Sequence, residues 1–191
     1  MRPKHLICVT VLALAAACSD TATSPTSVDR PQFVVATGPY PGTLNTGAVP
    51  AGGHLQSGNI LCTVNSSFGV TCSGYQINGI GNTNATASLN ASYSATVDCT
   101  NNGGKLVPVK STVQNATVSS GQLAPKNGAL AVPSISTGGQ TPTSGQFIAN
   151  ATCPNGNWTK SVEGGSITLE SFTYTLTFVG FTTPAVSISA S

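Results

Sequence analysis

Formal charge is scarce in this sequence. Charged residues make up 6% of the chain, against about 25% in a typical soluble domain. The net charge is +2, and Arg2 and Lys4 at the extreme amino terminus account for it. The rest of the chain is therefore close to neutral. Because a nucleic-acid surface needs a basic patch, this composition excludes nucleic acid as a partner.

Residue types that build catalytic and metal sites are also scarce. His54 is the only histidine beyond residue 17, whereas a zinc site needs three or four clustered Cys, His or carboxylate ligands. A catalytic triad of His54 and Asp98 would lack a Gly-x-Ser-x-Gly elbow, and no Asp-x-Asp segment suggests a calcium loop. The sequence therefore predicts a protein that is not an enzyme and carries no metal or cofactor. A small hydrolase using Asp98, Glu163 or Glu170 is the least favoured alternative.

The amino terminus is typical of an export signal. Two basic residues precede an apolar run over residues 6–17, which is interrupted only by Thr10. As a helix this run would be about 18 Å long, too short for a hydrocarbon core of about 30 Å. Residues 1–17 are therefore predicted to be a signal peptide and the only long helix of the chain. Cleavage after Ala15-Ala16-Ala17 would release a secreted protein.

The run Leu14-Ala15-Ala16-Ala17-Cys18 resembles the lipobox of bacterial lipoproteins. That resemblance implies that Cys18 becomes the lipidated first residue, which would anchor the protein to a membrane surface in the cell envelope. Ala15 departs from the commonest form of the motif, which has Leu there. Ser19 rather than Asp follows the cysteine, and by the same resemblance this does not signal retention in the inner membrane.

The cysteine count favours the lipid anchor over plain secretion. The chain has six cysteines, of which Cys8 would leave with the signal peptide. The mature chain then has an odd number of cysteines. If Cys18 carries lipid, an even number is left to form disulfides. If Val64 faces Val70 across a hairpin, Cys62 faces Cys72, so we favour the disulfides Cys62–Cys72 and Cys99–Cys153 among three arrangements.

Composition divides the mature chain into three parts. Residues 18–30 are small, polar and Pro-containing, which predicts a disordered tether. Residues 31–54 form a turn-rich lead-in that begins with a short apolar cluster. Residues 55–191 are predicted to form the compact domain.

The strongest structural signal is the alternation over residues 85–99. Odd positions are apolar or small and even positions are polar, which is the pattern of one long strand with a buried and a wet face. The whole chain is predicted to be all-β, an antiparallel β-sandwich of immunoglobulin-like kind with about seven to nine strands; a barrel is the alternative. A strand is also predicted over residues 147–153, a bulge near Asn115, and another bulge at Glu170-Ser171.

Trp158 is the leading candidate for ligand stacking in the sequence. It lies in a loop among amides, after Cys153, where an exposed ring could stack on a sugar and a buried ring could instead cap the core. Tyr40 and Tyr75 are further candidate platforms.

The domain resembles uncharacterised secreted bacterial β-sandwich proteins, which implies no particular activity. The favoured function is a non-catalytic surface protein with a structural or interaction role, whose partners would be glycans or other surface proteins. A carbohydrate-binding module is the alternative. A filament subunit that donates residues 31–36 as a strand is less favoured.

Overall fold

The computed structural model describes residues 34–114, 118–138 and 142–191. Within these ranges the chain forms strands, one short 3-10 turn (Thr46–Ala48) and one α-helix. The strands are β1 (Gly38–Pro41), β2 (His54–Gly58), β3 (Leu61–Val64), β4 (Val70–Cys72), β5 (Tyr75–Asn78), β6 (Ala85–Thr100), β7 (Leu106–Gln114), β8 (Val118–Leu123), β9 (Ala129–Val132), β10 (Ile135–Ser136), β11 (Thr159–Val162), β12 (Thr168–Phe178) and β13 (Val186–Ala190). The helix is α1 (Ser144–Asn150).

Strand β6 is the long strand that the alternation predicted. It has 16 residues, and its odd positions are buried while its even positions, except Ser94, are partly exposed. Small side chains such as Ala85, Ala87 and Ala91 on the buried face allow the facing layer to approach closely. This strand organises the fold, because it pairs with four others.

The partners of β6 lie along its two edges. β12 pairs with the first ten residues of β6 and β11 with its last four. β7 overlaps the pairing of both, so β7 lies on the other edge, together with β8. With β13 beside β12, these strands form a six-stranded antiparallel sheet.

Two smaller sheets cover the inner face of this large sheet. One has the order β1-β3-β4-β10 and the other β2-β5-β9. The Tyr75 and Tyr174 hydroxyls meet at 3.0 Å between β5 and β12, and the Tyr93 hydroxyl donates to the Phe68 carbonyl at 2.9 Å. The chain is therefore all-β and sandwich-like, as predicted, although its sheets are divided into more and shorter strands than expected.

The predicted strand over residues 147–153 is wrong, because its first residues belong to α1. Phe147 is fully buried there, and the Ser111 hydroxyl of β7 donates to its carbonyl at 2.7 Å. Gln146 accepts a bond from the Thr143 backbone N–H at 2.8 Å, and Lys160 donates to the Ala151 carbonyl at 2.7 Å. A helix that side-chain hydrogen bonds hold at both ends thus covers the inner face near the end of β6.

Both predicted disulfides are present. Cys62 and Cys72 face each other between β3 and β4, with Cα atoms 3.9 Å apart. The neighbouring Ser73 N–H donates to the Leu61 carbonyl, so the cystine occupies a non-hydrogen-bonded pair, as expected. Cys99 and Cys153 join the end of β6 to the segment after α1, with Cα atoms 5.7 Å apart.

The predicted irregularities have different outcomes. The register of β12 against β6 shifts between Leu169 and Ser171, which confirms the bulge at Glu170-Ser171. Asn115, the signal peptide and the tether lie outside the described residues.

In the lead-in, β1 pairs with β3, and Val35 is buried and donates its N–H to the Leu169 carbonyl at 2.9 Å. Within the described ranges, no helix is long and apolar enough to span a bilayer.

Candidate binding site at the end of β6

The loop that carries Trp158 is fixed at both ends. Cys153 ties its start to β6, and Thr159 at its end pairs with Thr100. Within the loop, Asn155 Oδ1 accepts from the Asn157 N–H at 3.1 Å, and the Trp158 N–H donates to the Asn155 carbonyl at 3.3 Å. The sequence folds tightly here because Asn side chains replace backbone partners in turns.

A second loop, the turn between β6 and β7, lies beside the first. Asn101 Oδ1 accepts from the Gly103 N–H at 2.9 Å and from the Lys105 N–H at 2.8 Å. This side chain therefore holds the turn, while the next residue, Asn102, is exposed. Residues 101–104 thus form a tight turn that the first of their own side chains holds.

The two loops enclose an open depression of about 290 Å³. Its lining residues are Asn101, Asn102, Gly103, Asn155, Asn157 and Trp158. We call this group the Trp158 depression. Every lining side chain is uncharged, so the chemistry available is one aromatic ring and a set of amides that both donate and accept. A neutral ligand rich in hydroxyl groups fits that combination better than an ion does.

Trp158 is partly buried, between the two outcomes that the sequence left open. Its ring lines the depression rather than filling the core, since the largest fully buried side chains are Tyr and Phe residues of the strands and of α1. Sequence reasoning found Trp158, Asn155 and Asn157 in one loop, but it did not place Asn101 and Asn102 beside them. The predicted Cys99–Cys153 disulfide was the available signal, because it brings these two loops to the same end of β6.

Neither of the two tyrosines offered as further platforms lines the Trp158 depression. Tyr75 is buried, and burial together with the neighbouring Tyr174 raises the pKa of its hydroxyl above the ordinary value. The Tyr40 ring packs edge-on against Phe172, with centroids 5.2 Å apart, and its hydroxyl donates to the Ala36 carbonyl at 2.7 Å. Both rings therefore serve the packing between the sheets.

Within the described ranges, no hydrogen bond or ion pair joins any two of the carboxylates considered for hydrolysis. Glu170 of β12 forms an ion pair with Lys110 of β7. Because β12 and β7 lie on opposite edges of β6, the ion pair crosses β6, close to the buried Ser94. Asp98 faces Ser161 across the β6–β11 ladder, and Glu163 is exposed just after β11. The ion pair of Glu170 with Lys110 therefore links β12 to β7.

His54 is a surface side chain, and a second concavity lies apart from the Trp158 depression. His54 is exposed, and its Nδ1 lies 2.9 Å from the Gly52 carbonyl. In the part of the chain that the structure describes, no three His, Cys, Asp or Glu side chains gather as metal ligands would. A second concavity of about 510 Å³ beside β2 and β3, next to Leu44 and Leu55, has no titratable side chain in its lining.

Compared with protein-family models, curated proteins and solved structures, the chain matches none. The site must therefore be interpreted from its own geometry.

Proposed function

We propose that this protein is an exported, lipid-anchored, non-catalytic β-sandwich that binds neutral glycans at the Trp158 depression. The observation that carries the proposal is the juxtaposition of one accessible indole with exposed amides in a concavity without charge. An indole face offers apolar area to the C–H face of a pyranose ring. Amides such as Asn102 and Asn157 would bond the sugar hydroxyls at the rim.

The construction of the site supports recognition rather than chemistry. Both loops are held by hydrogen bonds and by a disulfide, so little conformational entropy would be lost when a ligand binds. The lining residues offer no general acid, base or nucleophile.

The lipid anchor rests on the lipobox-like segment and on the cysteine pairing. The four cysteines of the described residues are all disulfide-bonded, so Cys18 is the one cysteine of the predicted mature chain left for lipidation. Disulfides are themselves typical of oxidising compartments outside the cytoplasm. The predicted tether over residues 18–30 would hold the domain away from the membrane. An immunoglobulin-like strand order remains part of this proposal, supported by the antiparallel sheets packed face to face.

A glycan array probed with the purified domain tests the binding site. We expect retention on neutral glycans and, for Trp158→Ala, binding weaker by about tenfold or more, as for an aromatic anchor. Val179→Ala is the matched control, because Val179 is exposed and its N–H bonds to Asn84, just before β6 starts at the far end of the sheet. Equal binding by wild type and Trp158→Ala, or no binding to any glycan, contradicts the proposal.

The anchor has its own test. In a diderm bacterial host the full chain should fractionate with membranes and incorporate a labelled fatty acid, and Cys18→Ala should abolish the label. Labelling that persists in Cys18→Ala, or a wild-type chain without label, would show that Cys18 is not the acceptor.

A further inference from the structure

The chain contains Asn-Gly pairs that differ in how firmly the fold holds them. They are Asn78-Gly79, Asn102-Gly103, Asn127-Gly128 and Asn155-Gly156. In such a pair the glycine backbone nitrogen can attack the Asn side-chain carbon Cγ. A C–N bond then forms, ammonia leaves and the nitrogen loses its proton, which gives a cyclic succinimide. Water opens this ring to aspartate or isoaspartate, so an amide is exchanged for a carboxylate without any oxidant or cofactor.

Two of the pairs lie in backbone that cannot rearrange easily. Asn78 is in the central strand of its sheet, and the backbone at Gly79 approaches the Gly52 carbonyl so closely that a Cβ would lie 2.2 Å from it. Asn127 and Gly128 form a tight turn at φ 53° and 74°. The residues on either side of that turn exchange two hydrogen bonds of 2.8 and 3.0 Å.

The third pair has a nucleophile that is already engaged. The Gly103 N–H donates to Asn101 Oδ1 at 2.9 Å, and the Gly104 N–H donates to the Asn101 carbonyl at 3.0 Å. Attack by the Gly103 nitrogen on Asn102 requires the first of these bonds to break, which slows the reaction.

Asn155-Gly156 differs from the others at both reacting groups. Among the hydrogen bonds of the described residues, none has the Gly156 N–H as its donor, and beyond its chain neighbours no atom lies within 4 Å of where a Gly156 Cβ would stand. Meanwhile the Asn157 N–H donates to Asn155 Oδ1 at 3.1 Å. That bond polarises the carbonyl under attack and stabilises the negative charge that develops on its oxygen, as an oxyanion-hole donor does.

We infer that Asn155 is a site of selective spontaneous deamidation in the folded protein. The product would place a carboxylate, or a backbone lengthened by one methylene, inside the Trp158 depression, where every lining side chain is now uncharged. Loss of glycan binding on ageing would follow, and this consequence alone rests on the proposed function.

Peptide mass spectrometry of the full chain, incubated at mildly alkaline pH, tests the inference directly. We expect Asn155 to gain the mass of an amide-to-acid exchange about two- to tenfold faster than Asn102, the range that release of one hydrogen bond gives. In the denaturant-unfolded chain the four sites should instead react at similar rates, since all four have glycine directly after the asparagine.

Gly156→Ala should suppress the reaction at Asn155 without disturbing the fold, because the position is open and its φ is not positive. Gly164→Ala, at an equally open position, is the control and should leave the rate unchanged. Faster modification of Asn78, Asn102 or Asn127 in the folded chain overturns the inference, as does a preference for Asn155 that survives unfolding. The mass change is read without any ligand, so a failure of glycan binding does not affect it.

Discussion

Replacing Phe147 by alanine should destabilise the domain strongly, because this one side chain anchors α1 to the large sheet. Phe147 is fully buried, in a helix of only 7 residues, which is too short to be stable without packing. Truncating a buried Phe costs about 3–5 kcal/mol, equivalent to about 6–20 °C in Tm for a chain of this size. Urea unfolding followed by circular dichroism measures both stability and the denaturant slope.

Two further variants separate the helix from the strand that the alternation suggested. Gln146→Ala removes the acceptor for the Thr143 N–H and should cost about 0.5–1 kcal/mol, a loss that an extended segment would not show. Phe181→Ala, at a partly buried ring whose centroid lies 6.3 Å from that of Phe178, is the control and should cost much less than Phe147→Ala. A loss below about 1 kcal/mol for Phe147→Ala would refute this account of the packing.

Two other predictions concern the cross-link at the site and the buried tyrosines. Cys99→Ala combined with Cys153→Ala opens a loop with a sequence separation of 54 and should lower the free energy of unfolding by about 4 kcal/mol, measured by urea unfolding; an unchanged midpoint would contradict this. Burial raises the folded-state pKa of Tyr75 and Tyr174 above their ordinary value of 10.0, so the stability they contribute is complete below about pH 10 and is lost as the pH rises above it. Unfolding curves from about pH 8 to about pH 11 should show this decline, and Tyr75→Phe with Tyr174→Phe should reduce it; an equal decline in that double variant would show that other groups cause it.

Much of the fold could be predicted because strand alternation is a local signal. The buried face of β6, the Cys62–Cys72 pairing and the bulge before Ser171 all follow from which neighbours share a face. Helix α1 could not be found in that way, because the alternation of Phe147 with small residues also suits a strand. Its one local signal was the pair Thr143 and Gln146, which matches a capping box.

The candidate site shows the same limit. Trp158 could be selected from its loop, but the amides of Asn101 and Asn102 come from a turn more than fifty positions earlier in the chain. Their meeting depends on the pairing of β11 with β6 and on one disulfide. Long-range contacts of this kind leave no periodic trace in the sequence.

Strand β6 runs without interruption from the sandwich to the helix-covered end, so the same backbone serves both halves of the core. We therefore expect the two halves to unfold together, in a single cooperative step. If the Trp158 depression binds a sugar as proposed, that ligand should slow amide exchange as far away as Ala85.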